Sequence, residues 1–221
     1  MAEGDKIVQE LLQAGMPVKG VFATTDWLEQ HTSLLSRLPA NAVVEVDGAV
    51  LKQLSSLTTP NRAMALLDMP PAIDPLPAAG TVVLALEAIQ DPGNMGTLIR
   101  IADWFGIPQI ICSPDCVDVY NPKTIQATMG SMIRVRIAEY GIKELLQQTT
   151  LPSYAATLHG ENIAGFPAIK EGIILIGNEG RGLTEEVTAL ASHRITIPRI
   201  GGAESLNAAV AAGIICGRLL I

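Results

Sequence analysis

The sequence predicts an α/β protein in two parts, a small α/β domain followed by a larger α/β domain built on a parallel sheet. Three observations carry that expectation. Strand-like and helix-like segments alternate along the chain; the stretch from Pro70 to Pro77 holds four prolines in eight residues and interrupts the alternation; and the strand-like segments beyond it are apolar on both faces. Strands apolar on both faces belong inside a parallel sheet covered by helices, whereas a sheet with one wet face alternates apolar and polar residues.

In the first domain, residues 1–69, "DKIVQELLQAG" places Ile7, Val8, Leu11 and Leu12 on one helical face, with Gly15 positioned to close the helix. "VKGVFAT" reads as a strand, "DWLEQHTSLLSRL" as a helix, "AVVEV" as a strand, "GAVLKQLSSL" as a helix and "RAMALLDM" as a strand. Residues 70–80 form a linker, because prolines so spaced continue neither element. The second domain, residues 81–221, offers strands at "TVVLALEAI", "QIIC", "MIRVRI", "YAATL", "IILIG" and "RITIP". Helices fit between them at "NMGTLIRIADWFG", "NPKTIQATMG", "IKELLQQ" and "LTEEVTALA", and the chain closes with the helix "SLNAAVAAGIICGRLLI".

Composition narrows the function classes. The chain has 221 residues, 48% hydrophobic and 17% charged, enough apolar material for a substantial core. No apolar run approaches the ~20 residues of a membrane helix, and "MAEGDKIVQELL" is charged where a secretory signal is apolar, so a cytoplasmic protein with no membrane partner is expected. Cys112, Cys116 and Cys216 fit neither a zinc pattern nor a disulfide framework; they are expected to be reduced and structural, and no metal is expected. The net charge of −7 argues against indiscriminate nucleic-acid binding, which relies on phosphate neutralisation, so any nucleic acid must be gripped locally.

Three strand-to-helix junctions carry the chemistry: "QDPGNMGTLIR", "GNEGRGL" and "PRIGGAESLN". In an open α/β sheet, ligands sit beyond the carboxyl ends of the strands, where glycines let backbone approach a ligand and a few polar side chains orient it. Singly, each junction is equally consistent with a structural turn: Glu179 and Arg181 with a solvated pair, Ser205 with a plain helix cap. The second loop runs G-x-x-G-x-G, so the dinucleotide fingerprint is missing, and P-loop, zinc and G-x-S-x-G patterns are missing too. Residue types and spacing lead as far as an α/β protein with a glycine-lined pocket.

In this order, "DPGNMGTLIRIADWFG", "LIGNEGRGL" and "IPRIGGAESLNAAVAAGI" resemble the three motifs of the SpoU branch of the SPOUT RNA methyltransferases, over roughly residues 80 to 221. More loosely, "EGDKIVQELL" and "LSSLTTPNRAMAL" resemble the small RNA-recognition domain that precedes the catalytic one in that family. The resemblance implies transfer of a methyl group from S-adenosylmethionine to a ribose 2′-hydroxyl of ribosomal or transfer RNA. It also implies a C-terminal third threaded into a deep trefoil knot.

Carried onto this sequence, the family's motifs imply catalytic roles for Asn94, Arg100, Glu179, Ser205 and Asn207. The cofactor would lie against Gly177, Asn178, Glu179 and Gly180, against Ile197 and Leu206, and near Thr157, Leu158, His159 and Gly160, although a lone histidine after a strand is more often a surface residue. Arg100 is the family's proposed proton acceptor, but a guanidinium, which has five donors and gives up its proton with great difficulty, better suits a fork holding ribose phosphate and stabilising alkoxide character. Lys123, Arg134, Arg136, Arg181 and Arg199 are candidates for an RNA groove; Gln126 stands where relatives commonly carry arginine. A homodimer is implied, through the last helix and the first-motif helix, with Ala208, Ala212, Ile215 and Leu219 available for close packing. The alternative is an RNA-binding protein that keeps the fold with little or no catalysis, a reading motivated by Gln126 and the negative charge.

Overall fold

Strand β1 (Ala2–Glu3) leads through Gly4 into helix α1 (Asp5–Gln13), whose stripe of Ile7, Val8, Leu11 and Leu12 is buried as its spacing requires. These belong to the first of two compact units of a computed structural model that describes residues 1–55, 57 and 61–221: Met1–Pro71 and Ala72–Ile221. Within the first unit, β2 (Val18–Ala23), α2 (Thr25–Gln30), α3 (Thr32–Leu35), β3 (Val43–Glu45), α4 (Gly48–Leu54) and β4 (Ala63–Leu67) follow. The strands are ordered β1-β4-β2-β3, antiparallel except for the parallel pair β2 and β3. The single helix expected over "DWLEQHTSLLSRL" is broken at His31, whose φ of −119° and ψ of 20° leave the helical region. There the His31 ring stacks on the fully buried Trp27 at 4.1 Å and its Nδ1 meets the Trp27 carbonyl at 2.8 Å. The helix expected over "GAVLKQLSSL" ends at Leu54, and Ser56 and residues 58–60 of the quoted recognition segment lie outside the described residues.

The second unit contains β5 (Val82–Leu86), α5 (Pro92–Trp104), β6 (Gln109–Cys112), α6 (Pro122–Thr128), β7 (Arg136–Glu139), α7 (Ile142–Gln148), β8 (Ser153–Asn162), β9 (Gly172–Ile176), α8 (Glu185–Leu190), β10 (His193–Thr196) and α9 (Ala208–Leu220). The strands lie in the order β10-β8-β9-β5-β6-β7, and every neighbouring pair is parallel. Along β5, Leu84 and Leu86 face a core that includes Met95, Leu98 and Ile99 of α5 and Ala212 and Ile215 of α9. Val83 and Ala85 face the opposite core, with Ile142 and Leu145 of α7 and Val187 of α8. Both sides of the sheet are therefore dry, which is why its strands are apolar without alternation. The strand expected over "MIRVRI" is shorter, because Ser131–Ile133 forms a 3-10 turn before β7.

Helix α5 starts where Asp91 accepts the Asn94 N–H at 2.7 Å with Pro92 in its first turn. It closes where Gly106 adopts a φ of 68° and the Ile107 N–H reaches the Ala102 carbonyl at 2.8 Å. Between those ends it is gripped on two sides. Towards α6, a Cβ on Gly96 would lie 2.3 Å from Ala127 Cβ and 2.9 Å from the Thr124 carbonyl oxygen. Towards α9, the approach is looser, with Gly213 facing Ile101 and Gly217 facing Phe105.

Helix α9 corrects one expectation. Ala208, Ala212, Ile215 and Leu219, expected to pack across a subunit face, are buried in this chain's own core. The outward apolar side chains of α9 are Val210 and Ile214, and Trp104 at the end of α5 is 86% exposed. With apolar residues around nearly its whole circumference, the helix carries no sequence signal for which stripe turns inward. Among the described residues, no helix is long and apolar enough to cross a membrane, and no three His, Cys, Asp or Glu side chains gather as metal ligands.

Gly96→Ala should destabilise the protein by about 1–3 kcal/mol, the usual range for overpacking. Gly213→Ala, whose Cβ would stand 3.8 Å from Ile101, should be neutral or stabilising by up to ~1 kcal/mol. Urea denaturation of the two variants checks the contrast.

Candidate functional site

Because the sheet is parallel, the loops after β5, β9 and β10 emerge from the same edge, and the "DPGNMG", "GNEGRG" and "PRIGGAESLN" segments meet there. One line of side-chain hydrogen bonds joins all three. Asn207 Nδ2 donates to Asn94 Oδ1 at 2.8 Å, and Asn94 Nδ2 donates to Glu179 Oε1 at 3.0 Å. The direction of each amide is thereby set, since Asn94 spends its oxygen on one neighbour and its nitrogen on the other.

Each member of that line is fixed by its own backbone context. Asn207 caps α9, its Oδ1 accepting from the N–H groups of Ala209 at 2.9 Å and Val210 at 3.3 Å. Asn94 sits in the capped first turn of α5. Glu179 rides on a tight turn in which Asn178 and Gly182 exchange backbone hydrogen bonds and Asn178 Oδ1 accepts from the N–H groups of Gly180 and Arg181. That turn closes only on glycine: a Cβ on Gly177 would lie 2.2 Å from the Leu183 nitrogen and 2.3 Å from the Gly182 carbonyl carbon.

Beside this line opens a cavity of about 560 Å³. One wall is Gly177, Asn178, Glu179, Gly180 and Arg181; another runs through Ile197, Arg199, Ser205 and Leu206; Thr157 and Leu158 complete it. Strand β8 supplies those last two through an irregularity. Ala155 pairs with Arg194 and Glu161 with Ile195, so Ala156 to Gly160 form an excursion that the partner strand does not match. Thr157 Oγ1 is buried there and, among the described residues, has no hydrogen-bond partner.

The remaining expected residues are placed as follows. His159 and Gly160 do not line the cavity. Gly160 has a packing reason instead, since a Cβ there would lie 2.5 Å from the Arg194 carbonyl oxygen, where β8 returns to β10. Ser205 and Asn207 were expected to open the last helix; Asn207 caps it, whereas Ser205 belongs to the preceding loop on the cavity wall. Arg100 is exposed on α5, six residues beyond Asn94, and among the described residues it has no ion-pair or hydrogen-bond partner.

The cations divide. Arg181 and Arg199 border the cavity, and Lys123 is exposed in the first turn of α6, on the loop edge of the sheet. Arg134 grips Asp103 through two nitrogens at 2.8–3.0 Å, and that hydrogen bonding holds the Asp103 carboxyl below its ordinary range. Arg136 begins β7 and therefore stands at the amino end of the sheet, away from the three loops. Asp91, which caps α5, was not singled out from the sequence, although an Asp before a proline at a helix start is a visible signal.

Comparison with known proteins shows the family. Residues 81–217 match the SpoU rRNA Methylase family, and residues 1–65 match the MRM3-like substrate binding domain. The 23S rRNA guanosine 2′-O-methyltransferase RlmP of Bacillus subtilis is 27% identical, over 97% of this chain and 86% of its own. The crystal structure of an AdoMet-bound rRNA methyltransferase from Sinorhizobium meliloti is 30% identical with a TM-score of 0.83, covering 99% of this chain and 85% of that one. A structure from Porphyromonas gingivalis assigned to the TrmH family of RNA methyltransferases is 34% identical with a TM-score of 0.86, over 99% and 88%.

A buried hydroxyl without a partner costs about 1–3 kcal/mol. Thr157→Val, nearly the same shape, should therefore raise the stability of the ligand-free protein by about 1 kcal/mol in urea. A loss of stability would show that the hydroxyl is satisfied within the protein.

Proposed function

The chain belongs to the SpoU rRNA methylase family and is an S-adenosylmethionine-dependent RNA methyltransferase; from that premise we propose that the group it methylates is a ribose 2′-hydroxyl of ribosomal or transfer RNA. The observation that carries this reading is the line Asn207, Asn94, Glu179, which gathers three loops beside a nucleoside-sized cavity. Such a preset polar line also weighs against a fold retained only for binding.

The cavity fits the cofactor. Its glycine turn presents main chain, and the Thr157 hydroxyl, without a partner among the described residues, would find one in a bound nucleoside. Gly177 to Gly180, Ile197 and Leu206 would form its walls. When bound, S-adenosylmethionine supplies a methyl group activated on a sulfonium. The chain's own task is then to hold a ribose hydroxyl in line and to favour its loss of a proton, since an unactivated hydroxyl is a poor nucleophile at neutral pH. A guanidinium offers a planar fork of donors and no acceptor, so we assign Arg100 to gripping the phosphate beside the ribose and stabilising alkoxide character. Asn94 and Asn207 orient the site, and the carboxylate of Glu179 anchors the end of their line.

The resemblance to the family also carries the expectation that the C-terminal third is threaded into a trefoil knot. The unit Met1–Pro71 would choose the RNA, assisted by Lys123, Arg181 and Arg199 near the site. A second copy would dock on the outward face of α5 and α9, where Trp104, Val210 and Ile214 are exposed.

Arg100→Ala should leave S-adenosylmethionine affinity within about threefold while lowering the single-turnover methylation rate roughly 100-fold or more, the scale of losing one transition-state stabiliser. Calorimetry and single-turnover kinetics on a confirmed RNA read the two quantities; near-parental turnover would sink the assignment of Arg100. Sedimentation should find a dimer at micromolar concentration that Ile214→Arg dissociates. A stable monomer before mutation would remove the proposed face.

A further inference from the structure

We propose that Ser113 is a positioning residue for methyl transfer, acting through the backbone of Ala88 on the first turn of α5; the proposal rests on the function proposed above. Ala88 lies between β5 and α5 with a left-handed φ of 55°, and it is buried. Residues with a Cβ leave that conformation unless their surroundings hold them in it. Two side chains hold this one. Ser113 Oγ accepts the Ala88 N–H at 2.9 Å, and Asn178 Nδ2 donates to the Ala88 carbonyl at 2.8 Å. Ser113 follows β6 and Asn178 follows β9, the two neighbours of β5, so the loop is pinned from both sides of its own strand.

Ser113 is built for this contact. It is buried, its N–H donates to the Leu86 carbonyl at 2.9 Å, and its single hydroxyl proton goes to Asp115 Oδ1. The oxygen is therefore free to accept from Ala88. Three residues further on, Asp91 caps α5 by accepting the N–H of Asn94, whose side chain joins Asn207 to Glu179. A backbone change at Ala88 reaches the middle of that line through a short, tightly bonded segment. Unlike Asn178, Ser113 does not line the cavity, so its loss separates positioning from cofactor contact.

The test uses the full chain with Ser113→Ala, Ala88→Gly and the double variant, measuring kcat, KM for S-adenosylmethionine and RNA, melting temperature, and hydrogen exchange at the amides of Asn94 and Met95. Ser113→Ala should lower kcat about tenfold while KM for the cofactor stays within about twofold, because misplacement of a positioned group acts on the chemical step. Exchange at Asn94 and Met95 should speed up while the amides of β5 remain protected. Glycine adopts a positive φ freely, so Ser113→Ala made in the Ala88→Gly background should cost only about twofold relative to that background. Equal loss of kcat in both backgrounds would overturn the proposal, and so would a lowered melting temperature with unchanged kcat. Where Ser113→Ala alone fails to fold, recovery of folding and kcat in the double variant supports it, and failure to recover refutes it. If the parent protein transfers no methyl group, the function proposed above fails, and the exchange measurements still decide whether Ser113 holds the first turn of α5 through Ala88.

Discussion

Two hydrogen bonds, from Asn207 to Asn94 and from Asn94 to Glu179, do what no strand or helix in the second unit can do alone: they hold the ends of three separate loops in one place. A hydrogen bond of this kind contributes only about 0.5–1.5 kcal/mol net, so their importance is orientation rather than stability. They are effective because each partner is already fixed. One amide caps α9, another sits in the capped first turn of α5, and the carboxylate rides on a turn that Asn178 closes. Helix capping, ordinarily a local device, here aims side chains at one another across 113 residues of sequence.

The same region depends on backbone passing very close to backbone. Gly177 and Gly160 stand where a Cβ would overlap main-chain atoms at 2.2–2.5 Å, and Gly96 lets α5 lie directly on α6. These glycines make the site compact and leave little tolerance, because packed interiors absorb an added methyl poorly. The cavity walls follow from this arrangement: where side chains are excluded, main-chain groups are what a ligand meets.

The sheet was legible in the sequence because strands dry on both faces must be apolar throughout, and the three junctions were legible because glycine and polar residues gather at strand ends. Other features had no local signal. The excursion of β8 at Ala156 to Gly160 depends on the register of β10 beside it, and so on a strand more than thirty residues further along the chain. The inward stripe of α9 was hidden because the helix is apolar on nearly every side, and Arg136 could be set apart from the loops only once β7 had a direction. Ala88 shows the same limit at one residue: a left-handed alanine is invisible until Ser113 and Asn178 are seen to hold it.

The most direct test of the account is the chemical identity of the product. RNA methylated in vitro with methyl-labelled S-adenosylmethionine can be digested to nucleosides and the labelled species identified by mass spectrometry. The account predicts that the label is on ribose, as a 2′-O-methyl nucleoside. Label on a base would contradict it, since Arg100 and the line from Asn207 to Glu179 have been assigned to activating a ribose hydroxyl.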